Sequence, residues 1–161
     1  MKEREFEMSS IIDIAIKRLS EQSTSGRELQ VFLENEFAGL PNLETQINSV
    51  FKRLHELHLL NDQRLAANLA QHYAHKGDDF ISRLLKQKGI SEEIIADVLS
   101  TLDDENERAL GEARKKLGIN WDNSEKAMSL LQRFLSGRSF SYAAINTVIG
   151  QLGNQNCCYS N

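Results

Sequence analysis

Four histidines and two cysteines are the scarcest residues of this 161-residue chain that could hold a metal or do thiol or imidazole chemistry. His55 and His58 are three positions apart, as are His72 and His75. On one helix that spacing places two imidazoles on one face, the beginning of a metal site. Each pair still needs a third ligand aimed at the same point, and no Cys, Asp or Glu completes a recognised spacing, so the pairs read as solvated surface. Cys157 and Cys158 are adjacent in a polar tail. They staple nothing together, which fits a reducing cytoplasm. No Gly-rich phosphate loop, Gly-x-Ser-x-Gly elbow or His-Glu-x-x-His segment occurs. The residues therefore point to no enzyme, no metal and no cofactor.

The basic residues carry more information. Arg83, Lys86 and Lys88 fall between Phe80 and Ile90 without a single acid. Arg83 and Lys86 are one helical turn apart and lie off the apolar face made by Ile81, Leu84 and Leu85. Arg114, Lys115 and Lys116 form a second cluster, and Lys52 with Arg53 a third. Ordinary solvated faces account for such clusters. The functional alternative is a stripe facing nucleic acid or an acidic protein surface. The sole tryptophan, Trp121, sits beside Asp122 in an expected loop, where it either caps the core or anchors a partner.

These residues must be positioned by helices, because apolar residues recur at helical spacing nearly throughout. Ile11, Ile12, Ala15, Ile16 and Leu19 mark a helix from Ser9 to Leu19. Ser25-Gly26-Arg27-Glu28 has the form of a capping box and starts the next, whose face carries Leu29, Phe32, Leu33 and Phe37. The only proline, Pro41, precedes a third with Ile47, Val50, Phe51 and Leu54. From Leu59 to Leu102 three short helices follow, with Gly77 and Gly89 placed where helix ends favour positive φ, and Ser91 as an N-cap. Asp103 to Glu107 open a helix that Arg114 to Lys116 close, complementing its dipole at both ends. Asn123 or Ser124 caps the next, and Ser141 caps the last, through Leu152.

The pattern repeats. Ile47, Val50 and Leu54 match Ile95, Val98 and Leu102, then Ile145, Val148 and Leu152, at offsets of 48 and 50. Phe32, Leu33 and Phe37 match Phe80, Ile81 and Leu85, then Leu130, Leu131 and Leu135. In the leading helices, Ile11, Ile12, Ala15 and Leu19 match Leu65, Ala66, Leu69 and Tyr73, then Ala109, Leu110, Ala113 and Leu117. A period near 50 residues is what stacked helical units look like in sequence. The expected organisation is a flexible lead-in over 1–8, three-helix repeats over 9–60, 61–102 and 103–152, and a polar tail over 153–161. The fold class is all-α, an elongated, curved array of three tandem three-helix repeats.

Composition bounds the function. A hydrophobic share of 40% with 26% charged residues suits a soluble folded chain, and no apolar run is long enough to span a membrane. The N-terminus is charged and lacks the apolar core of a secretory signal. A net charge of −4 argues against sequence-independent DNA binding as the main activity, since that binding comes from neutralising phosphates. Residues 1–60 hold 7 basic and 10 acidic residues, whereas 103–161 hold 7 of each.

The central stretch resembles the RecX family of bacterial regulatory proteins. The resemblance rests on Asn61-Asp62, Leu65-Ala66, Lys76-Gly77, Ile81, Leu85 and Lys88-Gly89-Ile90, with LLKQKGISEEII its strongest piece. Asn61 replaces an acid, Leu65 stands where an aromatic is usual, Asp78-Asp79 fill a shortened turn often built as Gly-Pro, and Ser82 sits where a base is frequent. These departures weaken a nucleic-acid contact from the start of that helix and leave the packing residues intact.

The resemblance implies a non-enzymatic, cytoplasmic, monomeric modulator that binds the RecA–single-stranded DNA filament. It would lodge in the filament groove, touch the single-stranded DNA weakly, and restrain recombination, ATP turnover and the co-protease activity of the damage response. Its contact surface is expected to use Arg64, Lys76, Arg83, Lys86, Lys88, Arg114, Lys115 and Lys116. A helical DNA-binding or adaptor module acting without a recombinase is the alternative. It predicts duplex binding with a steep salt slope. A His-pair metal enzyme ranks third.

Overall fold

A computed structural model describes residues 2–117 and 124–155, with side-chain environments from Ser9 to Leu117 and from Ser124 to Asn154. The described residues form nine helices and no strand: α1 (Lys2–Glu21), α2 (Gly26–Glu36), α3 (Leu43–Glu56), α4 (Asp62–His72), α5 (Asp78–Gln87), α6 (Glu92–Thr101), α7 (Glu105–Leu117), α8 (Glu125–Gly137) and α9 (Tyr142–Gln155). None is long and apolar enough to cross a membrane. Trp121 and Cys157-Cys158 lie outside the described residues.

The helix starts follow the sequence closely. Ser25 makes a full capping box with Glu28. Ser91, Ser124 and Ser141 each accept from the N–H three residues on, at 3.4, 3.1 and 3.1 Å. The capping serine satisfies one of the four donors that every helix start leaves open. One start differs from expectation. α1 begins at Lys2 rather than Ser9, since the lead-in is rich in Lys, Glu and Arg, all good helix formers. Pro41 precedes α3, as its place in the break suggested, and the N-cap Asn42 is left-handed at φ 55° and makes no side-chain cap bond.

Helix ends share one device. After α5, Gly89 takes φ +78° and the Ile90 N–H donates to the Leu85 carbonyl at 3.0 Å. After α8, Ser139 takes φ 62° and Phe140 donates back to Leu135 at 3.2 Å. After α3, His58 takes φ 56° and Leu59 donates to Leu54 at 3.0 Å. This is the Schellman closure of a helix terminus. Gly77 corrects the sequence reading. Its φ is not positive, and its need for glycine comes from crowding instead.

Contacts group the chain into two compact units, Met1–Ala67 with Leu85–Ile95, and Asn68–Leu84 with Ala96–Asn161. In the first, α1, α2 and α3 pack around fully or nearly buried Ile11, Ala15, Leu29, Leu33, Val50 and Leu54. In the second, α7 lies along α9, and both meet α8 around Ala109, Ala113, Leu131, Leu135 and Val148. The buried i, i+4 pairs of the leading helices are Ile11/Ala15, Ala66/Ala70 and Ala109/Ala113. The α4 register is therefore one residue later than matching Ile11 to Leu65 implies. Leu130, expected on the apolar face, is 56% exposed. The core-facing arc of α8 runs through Leu131, Phe134 and Leu135, and Leu130 falls outside it.

One glycine here is dispensable. Gly111 lies inside α7 with nothing within 4 Å of where a Cβ would sit. Gly111→Ala should therefore stabilise the protein by about 0.5–1 kcal/mol, read as a higher urea midpoint at unchanged slope.

Candidate functional site

In each unit several charged residues converge where the start of one helix meets the loop closing another. In the first unit this is the start of α2. The Ser25 hydroxyl donates to the Lys88 carbonyl, and the Gly26 N–H donates to Asp62 Oδ1 at 2.9 Å. The Lys88 ammonium returns across the same loop, donating to the Ser23 carbonyl at 3.1 Å and pairing with Glu28 at 3.3 Å. Three open donors at the α2 start and one lysine are thereby satisfied together.

The second unit repeats the arrangement at the start of α5. The Gly77 N–H donates to the Arg138 carbonyl at 2.8 Å, and the Asp78 N–H donates to Glu105 Oε1 at 3.1 Å. Arg138 donates to the His75 carbonyl at 3.4 Å and pairs with Glu112 at 2.7 Å, with its guanidinium 4.6 Å from the Phe134 ring centre. Glu105 also accepts from the Ser141 N–H and hydroxyl, at 3.2 and 2.8 Å. Role for role, Arg138 stands for Lys88, His75 for Ser23, Asp78 for Gly26 and Glu105 for Asp62.

Arg108 completes the second joint. Its residue is only 9% exposed, and it donates to the carbonyls of Asp103, Ala74 and Lys76 at 2.9, 3.1 and 2.7 Å while pairing with Asp78. Burial holds the Asp78 carboxyl above its ordinary range, Arg108 pulls it back, and Glu105 and Asp104 push it up again.

The eight expected contact residues divide between these roles. In the first unit, Lys88 is spent on the joint and its side chain is only 22% exposed. Lys86 is exposed and pairs with Glu92 at 3.4 Å. Arg64 is exposed in the first turn of α4, its backbone N–H capped by Asn61 at 3.0 Å. In the second unit, Lys76 is half-buried with its ammonium 5.2 Å from the Phe80 ring centre. Arg83 pairs with Asp79 at 3.2 Å and donates to the Ser139 hydroxyl at 3.4 Å. Arg114 is exposed, Lys115 pairs with Glu112 at 3.2 Å, and Lys116 lies 5.5 Å from the Phe134 ring centre. Exposed ion pairs such as Arg83–Asp79 are worth about 0–1 kcal/mol, so their cations remain available to a partner.

The histidine pairs do not sit as their spacing suggested. α3 ends at Glu56, so His58 lies past the helix in a left-handed turn. α4 ends at His72, so His75 falls in the following turn, where Tyr73 stacks near both imidazoles. Among the described residues no group of three His, Cys, Asp or Glu could hold a metal. The sequence reading also passed over Arg108, Arg138, Glu105 and Glu112. The offset of 50 that aligns Ile95 with Ile145 also aligns Lys88 with Arg138, and a cation recurring at one step of the repeat was the available signal.

No protein-family model matches the chain. It is 32% identical over 117 residues to the regulatory protein RecX of Clostridium perfringens strain 13, covering 69% of this chain and 55% of that protein. The chain thus spans about half the length of the clostridial relatives it matches. It is 29% identical over 143 residues to the regulatory protein RecX of Chlorobium phaeobacteroides, covering 87% of this chain and 91% of that one. The solved structure of RecX from Lactobacillus salivarius superposes with a TM-score of 0.75 at 24% identity, over 95% of this chain and 99% of that one. A second solved regulatory protein RecX gives 0.66 at 22% identity, over 88% and 72%. With sequence likeness near 30% to curated members, and their helical fold over nearly its whole length, the chain belongs to the RecX family of regulatory proteins.

Proposed function

We propose that this protein is a non-enzymatic regulator of the RecA recombinase, acting in the cytoplasm as a monomer bound to the RecA–single-stranded DNA filament. The likeness to relatives named as RecX regulatory proteins, over 87% of the chain in one case, carries this reading. Three successive three-helix repeats, over 9–60, 61–102 and 103–152, give it many helix faces for bridging neighbouring protomers. The recurrence of the α2 joint at α5 supports that division. Binding restrains filament growth, and with it strand exchange, ATP turnover and co-protease activity.

The contact surface draws on the outward cations, Arg64 and Lys86 of the first unit and Arg83, Arg114, Lys115 and Lys116 of the second. Lys76 and Lys88 contribute by holding the loops that present them. Reversing the charge of Arg114, Lys115 and Lys116 together is expected to weaken inhibition of RecA strand exchange at least about tenfold, on the scale of a few cross-interface ion pairs. Circular dichroism should be unchanged. Full inhibition by the folded triple variant would remove this cluster from the mechanism. Lys88 is a poor choice for such a test, because its reversal breaks the α2 joint as well.

A further inference from the structure

The first unit contains a cleft of about 450 Å³ that the regulatory reading leaves unused. Arg18 from the last turn of α1, Arg27 from the first turn of α2, and Lys88 with Glu28 supply its charge. Val31, 50% exposed, and half-buried Phe32 supply its apolar wall. Lys88 and Glu28 neutralise each other. The two arginines do not find such partners. Arg18 lies with its guanidinium 4.8 Å from the Phe32 ring centre, and its Nε is buried with no acceptor among the described residues. Among the described ion pairs none involves Arg18 or Arg27. The stem of Arg27 lies flat across Gly89, so close that a Cβ there would sit 3.0 Å from its Cγ. Two arginines thus line the cleft without a carboxylate partner in a stretch where acids outnumber bases 10 to 7.

A planar guanidinium fork matches a carboxylate in two places at once, and Arg holds such pairs better than Lys. The adjoining Val31 and Phe32 wall matches an apolar side chain. A nucleic-acid backbone fits less well, because it needs a track of unopposed cations, and here the third cation already has Glu28. We propose that this cleft docks an acidic segment of a partner protein, with a carboxylate on Arg18 and Arg27 and a neighbouring apolar side chain against Val31 and Phe32.

The test is an NMR titration of the ¹⁵N,¹³C-labelled full chain with the capped tripeptide acetyl-Asp-Phe-Glu-amide. The expected result is saturable shifts at the Arg18 and Arg27 Nε–H groups and at the Val31 methyls. The Asn-Phe-Gln analogue should bind about tenfold more weakly, for loss of the charged hydrogen bonds. Arg27→Gln, an exposed change that leaves Phe32 in place, should weaken the acidic peptide at least about fivefold, as should Arg18→Gln. Absence of saturable shifts, equal binding of the neutral peptide, or the dinucleotide pTpT shifting the same groups at equal concentration would each overturn the proposal.

Discussion

Replacing Arg108 with leucine is expected to cost about 3 kcal/mol of stability, near the lower end for breaking a buried ion pair, and to lower the thermal midpoint by on the order of 10 °C. The guanidinium serves three backbone carbonyls and one carboxylate from a site almost closed to water. Leucine fills part of the volume and satisfies none of them, so each acceptor loses its partner. The Asp78 side chain is 42% exposed and regains some water, which keeps the loss below that of a fully buried pair. Arg108→Lys should fall between, since one ammonium cannot reach the geometry of the fork.

The loss should also depend on pH. Asp78 titrates above its unfolded value, so its contribution favours the fold below the unfolded value and fades as pH rises through the folded one. Arg108 opposes that rise. Without it, ionised Asp78 is left unpaired, and the deficit of Arg108→Leu should narrow as pH falls into the carboxylate range. A deficit under about 1 kcal/mol, the worth of an exposed pair, would show that Arg108 is not the keystone of the joint.

Gly77→Ala should be almost as damaging, at about 3 kcal/mol, the upper range for overpacking. A Cβ on Gly77 would land on the Ser139 carbonyl and come within 2.6 Å of Phe140 N, both backbone atoms of the loop closing α8. That loop cannot give way without losing the Gly77 N–H to Arg138 bond and the Phe140 N–H to Leu135 bond. Gly89→Ala provides the contrast. It meets a left-handed backbone at φ +78° and the side chain of Arg27, whose Cβ would lie 2.7 Å from the new one. The backbone alone costs about 1–2 kcal/mol, and a small shift of α2 relieves the crowding more cheaply than moving the two backbone atoms that Gly77 meets. Thermal and urea unfolding should rank the two in that order, and equal losses would mean that the loop closing α8 shifts to relieve the crowding at Gly77.

Sequence made the helices legible because capping and apolar spacing are local. Ser25, Ser91, Ser124 and Ser141 all cap as their neighbours suggested, and Ile47, Val50 and Leu54 are buried as their spacing required. Gly77 and Gly89 look alike in sequence, yet one answers a dihedral and the other a backbone 62 positions further along the chain. Charge was the least legible property. Arg108, Arg114 and Lys88 are all cations on or beside helices, but only the folded chain shows that Arg108 is buried among carbonyls, Lys88 bridges a loop and Arg114 faces water. Long-range acceptors decide this, and no window along the chain contains them.

The most direct measurement is capture of this protein by RecA filaments assembled on single-stranded DNA, beside naked single-stranded and double-stranded DNA at matched nucleotide concentration. Retention on the filament, with little on either naked DNA at physiological salt, is the predicted result. Equal retention on naked duplex DNA with a steep salt dependence, or no retention on the filament at all, would contradict the account.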